Sequence, residues 1–391
     1  MEQRSSLRKR LVSLASVLAV TVAGLAIPVV ASPAAAADVS PAAAPGADVV
    51  TADALPTVQI DGVVWSQAIS GNTVYAGGSF TSARPAGSAA GVNTTPRTNL
   101  LSYDLTTGVL NAGFAPVLDG QVQAVAAAPD GSRIYIAGDF TTVNGQPAGK
   151  VAALNPTNGA LLSTFKINIA TRVKTIAATN STVYVGGLFT AANGQARNRL
   201  AAYAAVNGAL LGWDPNADDN VNTMVVGPDG TKVFVGGSFQ NVGGLPAYGL
   251  AALDSSTGAV LPWAVGNTVR NAGTNAAITN LSTDGTSIFG TGYVFGAGGN
   301  LEGTFSADPN AGAINWIEDC HGDTYGAYSN GHTVFTASHA HYCGNFGGFY
   351  QSDPWGTNMK HGLAFTTGAT GTIGHEPFGY FDWSATPAPR W

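Results

Sequence analysis

All six histidines of this 391-residue chain, His321, His332, His339, His341, His361 and His375, fall within 55 consecutive residues, and both cysteines, Cys320 and Cys343, lie beside or among them. Imidazoles titrate near neutrality, so such a group can hold a metal, move a proton or hydrogen-bond a polar ligand. His339-x-His341 sets two rings on one side of an extended segment, the geometry of two ligands to one ion. With His321 they form the candidate zinc or copper set. The simpler reading is a histidine-rich polar loop held by hydrogen bonds. Asp323 adds an acceptor, and Tyr350 and Trp355 offer aromatic faces that stack on sugar rings. The candidate ligand-binding residues are therefore His321, Asp323, His339, His341, Tyr350 and Trp355. Glu318, Asp319, Asp353 and Glu376 add carboxylates, which keeps a carbohydrate-active hydrolase or lyase as the alternative. No serine elbow, zincin helix or phosphate loop is present, so no catalytic residue is assigned and a binding role leads.

What must position these residues is a repeat. Pro228-Asp229-Gly230 reads as a tight turn and Val233-Phe234-Val235-Gly236-Gly237-Ser238-Phe239 as a strand ending on paired glycines. The unit recurs at Val74–Phe80, Ile134–Phe140 and Val183–Phe189, with eroded copies at Ile288–Gly292 and Val334–Ser338. The strand aromatics Tyr75, Tyr135, Tyr184, Phe234, Phe289 and Phe335 lie 60, 49, 50, 55 and 46 residues apart. A period near 50 built only of strands and turns predicts an all-β propeller of four-stranded blades. Six repeats are recognisable, in a six-bladed ring or a seven-bladed ring short of one blade.

The fourth unit shows the expected blade: strands at Val221–Val226, Val233–Gly237, Leu250–Leu253 and Ala259–Trp263. The longer connections, from second to third strand and from blade to blade, share one face of the ring. That looped face is the expected binding face. In blade six the template sends His321, His339, His341, His361 and His375 to it and His332 to the opposite turn. An oxidising compartment makes a Cys320–Cys343 disulfide the default, joining a crossover to its own blade's loop.

The motif Val-Tyr-x-Gly-Gly-x-Phe, the Asn-Gly pairs at Asn144-Gly145 and Asn193-Gly194, and the Thr106-Thr107-Gly108 turn resemble the delta-60 repeat β-propeller family of secreted bacterial proteins. The resemblance runs from about Val58 to Ile373 and implies a propeller.

Residues 1–37 read as a signal peptide: a basic start, an apolar core and Ala35-Ala36-Ala37 before Asp38. Residues 38–56 are an Ala/Pro-rich leader, 57–373 the repeats, and 374–391 an irregular tail or the start of a further blade. An early strand at Thr57–Ile60 is expected to complete the last blade. The chain is thus read as secreted and extracellular, with no membrane span once the signal is removed. A net charge of -6 gives no reason to expect nucleic acid. The expected partner is an extracellular glycan or a cell-surface protein, met by a monomer. Asp214–Asn220 has half the pattern of a calcium loop without its central glycine or closing glutamate, so calcium is not favoured.

Overall fold

The computed structural model describes residues 56–351, 357, 359–375 and 380–390. The signal segment, nearly all of the leader, Trp355, Asp353 and Glu376 lie outside the described residues. Six of the ten antiparallel sheets among the described residues follow one another along the chain as blades, each with its strands in sequence order, and the other four are short sheets of two- and three-residue strands. The innermost strands are Val63–Ser70, Val122–Ala127, Val173–Ala178, Val221–Val226, Ala276–Thr283 and Thr324–Ser329. Each packs beside the next in that order, which is the arrangement of propeller blades.

The fourth strand differs from the expectation in half of the blades. Blades four, five and six carry it, at Val260–Leu261, Ile314–Glu318 and Ala385–Pro389. In blades one to three it shrinks to single bridges, Tyr103 with Leu110, Leu154 with Leu161 and Tyr203 with Leu210. There the chain leaves the ladder to bury Phe114, Phe165 or Trp213 against the second-strand ring, with Tyr75–Phe114 centroids 5.2 Å apart and Tyr184–Trp213 5.1 Å apart. Indole N–H groups then tie blade to blade: Trp213 donates to the Asp254 carbonyl at 2.9 Å, Trp263 to Asp308 at 3.0 Å and Trp316 to Thr367 at 2.7 Å.

Each glycine of the pair answers a separate demand. In all six blades the innermost strand bulges by one residue opposite the pair's position, as between Val221 and Thr223. A Cβ at Gly237 would lie 2.0 Å from the Asn220 carbonyl that the bulge pushes forward. One at Gly236 would lie 2.6 Å from Ile278 of the next blade. The second glycine admits the bulge and the first admits the neighbour.

Three of the turns that lead into an innermost strand use aspartate as a cap. Asp61 accepts the backbone N–H groups of Thr81 and Ser82, Asp119 those of Thr141 and Thr142, and Asp218 those of Gln240 and Asn241. Partial burial opposes ionisation of Asp119, but the hydrogen bonds from Thr141 and Thr142 outweigh it and lower its pKa to about 2. The folded pKa lies below the unfolded one, so its contribution is full above about 4 and is lost as pH falls through about 2. Asp119→Asn is expected to be slightly less stable than the parent at pH 6, the gap closing by pH 2. Urea midpoints at the two pH values check this. In the Asp214–Asn220 segment the oxygens serve the same structural use, and Asp214 meets Arg197 at 3.6 Å.

Two terminal expectations are corrected. The early strand, Gln59–Ile60, pairs with Ser82–Arg84 of blade one and does not complete blade six. It buries Ile60 and Val58 against Phe80, Ala83 and Leu101, which would otherwise face water. Blade six is completed instead from the tail, where Ala385–Pro389 pairs with Lys360–Thr372. Pro387 and Pro389 have no N–H to donate, so an outer edge strand suits them. Among the described residues, Thr324–Ser329 does not pack on Val63–Ser70 as the other innermost strands pack in turn. Ile69 and Tyr328, on the faces that elsewhere meet a neighbouring blade, are 50% and 57% exposed.

Candidate functional site

Blade six departs from the repeat at its crossover. Aligned on the bulge, His321 stands where Asp61, Asp119 and Asp218 cap blades one, two and four, and where blades three and five carry Ala170 and Asn275. The missing cap is replaced by a ladder and a bridge. Tyr342 N–H donates to the Cys320 carbonyl at 3.1 Å, His341 N–H to His321 at 3.0 Å and His339 N–H to Asp323 at 3.1 Å. The Cys320–Cys343 disulfide, spanning 23 positions, closes the end of this ladder. His321 takes a left-handed backbone (φ 43°), and a Cβ on the following Gly322 would lie 2.6 Å from the His339 carbonyl. The turn therefore needs glycine at 322.

This ladder gathers the histidines. The His321 and His341 rings lie 6.4 Å apart, and His321 packs edge-on to Tyr342 at 5.6 Å. His339 Nε2 accepts the Asp323 N–H at 3.2 Å, which places its own proton on Nδ1. Tyr325 donates to Asp323 Oδ2 at 3.0 Å and its ring stands 6.3 Å from His339. Asp323 is buried, whereas the three histidines are half-buried. Burial pushes the Tyr325 hydroxyl up to about 12, with its hydrogen bond to Asp323 adding to the rise. Burial also holds His341 below the ordinary imidazole value, and the neighbouring His321 and His339 rings lower it further.

Blade five completes the group. Burial raises the Glu302 carboxyl above its usual range, the Asp323 charge adds to that rise, and His321 opposes it. Burial and then the Asp323 charge likewise raise Tyr293, whose ring packs on the exposed Phe295 at 5.1 Å. The site is a mixed acid–imidazole–phenol cluster with aromatic rings at its rim. It can accept and donate hydrogen bonds at closely spaced points, which suits a polyhydroxylated ligand.

The remaining candidates scatter around it. Tyr350 is 75% exposed, its ring 5.9 Å from Tyr342. His361 Nδ1 lies 3.3 Å from the Ser338 carbonyl. His375 pairs with Asp382 at 2.5 Å. His332 sits in a turn at the other end of the second strand, its N–H on Asn330. His321, His339 and His341 do not bring three ligand atoms within 4.8 Å of one another, so a shared ion would require the rings to turn inward. Among the described residues, Glu318, Cys320 and Cys343 form the one group that meets that distance.

Glu302, Tyr293 and Tyr325 are absent from the candidates read off the sequence. A signal for the acid exists: three of the chain's four glutamates, Glu302, Glu318 and Glu376, lie from 302 onward. Elsewhere the repeats use aspartate, whose short side chain caps turns.

The comparisons with known proteins bear on the fold. Residues 128–165, within blade two, match the model of a β-propeller family described as a domain of unknown function (DUF5122). A chain of the crystal structure of the Mitotic Checkpoint Complex is similar in fold, with a TM-score of 0.50 and 12% identity over 84% of this chain and 85% of that one. No curated protein matches the sequence. The chain is an all-β propeller, a fold that serves generally as an interaction scaffold.

Proposed function

We propose that the protein is a secreted, non-enzymatic propeller of the delta-60 repeat kind that binds an extracellular glycan at the looped end of blades five and six. One observation carries this reading. The position that blades one, two and four cap with aspartate here carries His321, and the turn holds it and Asp323 with His339, His341 and Tyr325. The exposed Tyr350 ring, beside Tyr342 that packs on His321, supplies a stacking face near this polar group. Secretion is supported by the signal-like first residues and by the disulfide. Among the described residues, no helix is long and apolar enough to cross a membrane.

The test is retention on a panel of insoluble cell-wall and plant polysaccharides, with reducing ends assayed in the supernatant. The parent is expected to be retained by at least one polysaccharide and to release no new ends. Asp323→Asn removes a charged acceptor and is expected to weaken retention about tenfold or more. Tyr350→Ala is expected to weaken it severalfold through lost stacking. New reducing ends that disappear in Glu302→Gln would replace binding by hydrolysis.

A further inference from the structure

A second group of polar side chains links blades one to three at their crossovers, with an exposed tryptophan as its first member. The bulge sets one residue of each innermost strand outside the ladder: Trp65, Gln123, Lys174, Asn222, Thr279 and Tyr325. Four of these six are polar and not aromatic, so the bulge itself does not call for an indole at 65. Trp65 is 52% exposed, yet its orientation is fixed. Its Nε1–H donates to Gln121 Oε1 at 3.1 Å, in the crossover into blade two. Gln121 Nε2 in turn donates to Asp139 Oδ2 at 2.7 Å. Arg172, in the crossover into blade three, holds the same carboxylate twice, Nε on Oδ1 at 2.8 Å and Nη2 on Oδ2 at 2.8 Å. Lys150 Nζ donates to the Asp139 carbonyl at 2.6 Å.

This relay carries more positive charge than negative. Asp139 stands against Arg172 and Lys150, and Lys174 lies two residues beyond Arg172 with its Nζ on Asn222 at 2.8 Å. Burial opposes ionisation of Asp139, but hydrogen bonds from Arg172 and Gln121, with the Arg172 and Lys150 charges, hold its pKa below the usual carboxylate range. Burial lowers the Lys174 pKa and the Arg172 charge lowers it further, with Asp219 opposing. Donor capacity is left over as well. Lys150 has used one of its three N–H groups, and Arg172 keeps Nη1 on a side chain that is 43% exposed.

We propose that this rim is a second carbohydrate site, for an acidic glycan: a pyranose ring stacks on the Trp65 indole while a uronate carboxylate meets Arg172 and Lys150. The site is separate from the cluster of blades five and six and does not rest on that reading. An aromatic ring held in place before the ligand arrives loses little freedom on binding. A guanidinium and an ammonium favour a carboxylate over a hydroxyl through charge-assisted hydrogen bonds. The chain as a whole carries a charge of -6, so an acidic ligand is drawn by this local group and not by the overall field.

The test is calorimetric titration of the full chain with a galacturonic acid tetramer, and with the same tetramer after its carboxyls are reduced to hydroxymethyl groups. The acidic tetramer is expected to bind about tenfold or more tightly than the reduced one, an advantage that shrinks as salt rises. Trp65→Ala is expected to weaken the acidic tetramer about tenfold, and Trp65→Phe less. Arg172→Gln is expected to remove most of the preference for the acid. Asp323→Asn, in the blade-six cluster, is expected to leave binding of the acidic tetramer unchanged, which separates the two sites. Circular dichroism on each variant confirms that the propeller is folded. A parent that binds the acidic tetramer no better than the reduced one overturns the proposal. So does a folded Trp65→Ala variant with the parent's affinity, or loss of the acidic tetramer in Asp323→Asn.

Discussion

Gly237→Val is expected to prevent folding or to destabilise the protein by more than about 4 kcal/mol. The smallest added atom, a Cβ, would already sit 2.0 Å from the Asn220 carbonyl, and that contact is backbone, which a rotamer change does not relieve. The bulge that brings the carbonyl forward also sets which side chains of Val221–Val226 face blade three and which face blade five. Moving it therefore costs packing at two blade interfaces. The repeat supplies its own graded series. The corresponding separations are 1.9 Å at Gly78, 2.2 Å at Gly138 and 2.5 Å at Gly187, so Ala at 187 should be the mildest of the four. Gly212, with nothing within 4 Å of a Cβ and an ordinary φ, is the control, and Gly212→Ala should be near neutral. Urea unfolding of the five variants measures the ranking.

The second large effect is at the bridge. Replacing both cysteines, Cys320→Ala with Cys343→Ala, is expected to cost roughly 3 kcal/mol on the chain-entropy estimate for a loop spanning 23 positions. The loss should be local in its first consequence. The bridge closes the ladder that carries His321 and His341, so hydrogen exchange at His339, His341 and Tyr342 should quicken before the rest of the propeller opens. A thiol assay of the unfolded, unreduced parent should find no reactive thiol. Two would contradict the bridge.

Much of the scaffold was legible in the residues. Turn, strand, glycine pair and aromatic recur, and the innermost strand of the fourth unit spans Val221–Val226 as its pattern indicates. The fourth strands of blades one to three were not legible, because an aromatic that breaks a ladder to fill a core looks in sequence like one that continues it. The origin of the last blade's outer strand was obscured by Pro387 and Pro389, which argue against a strand until its edge position is known. At the site, the clustering of histidines marked the right stretch of chain. Glu302 and Tyr293 belong to blade five and feel the charge of Asp323, in blade six, across the sequence. Local sequence holds no record of that proximity in charge. His361 and His375 share the clustering but turn to Ser338 and Asp382.

The central claim, that ligand meets the cluster between blades five and six, is tested most directly by following the six histidine ring resonances while a retained glycan is titrated into the protein. His321, His339 and His341 should shift together and saturate at one affinity. His332, in a turn at the other end of its strand, should stay unmoved as the internal reference. A glycan that binds while those three rings stay still, or that moves His332 instead, would contradict the account.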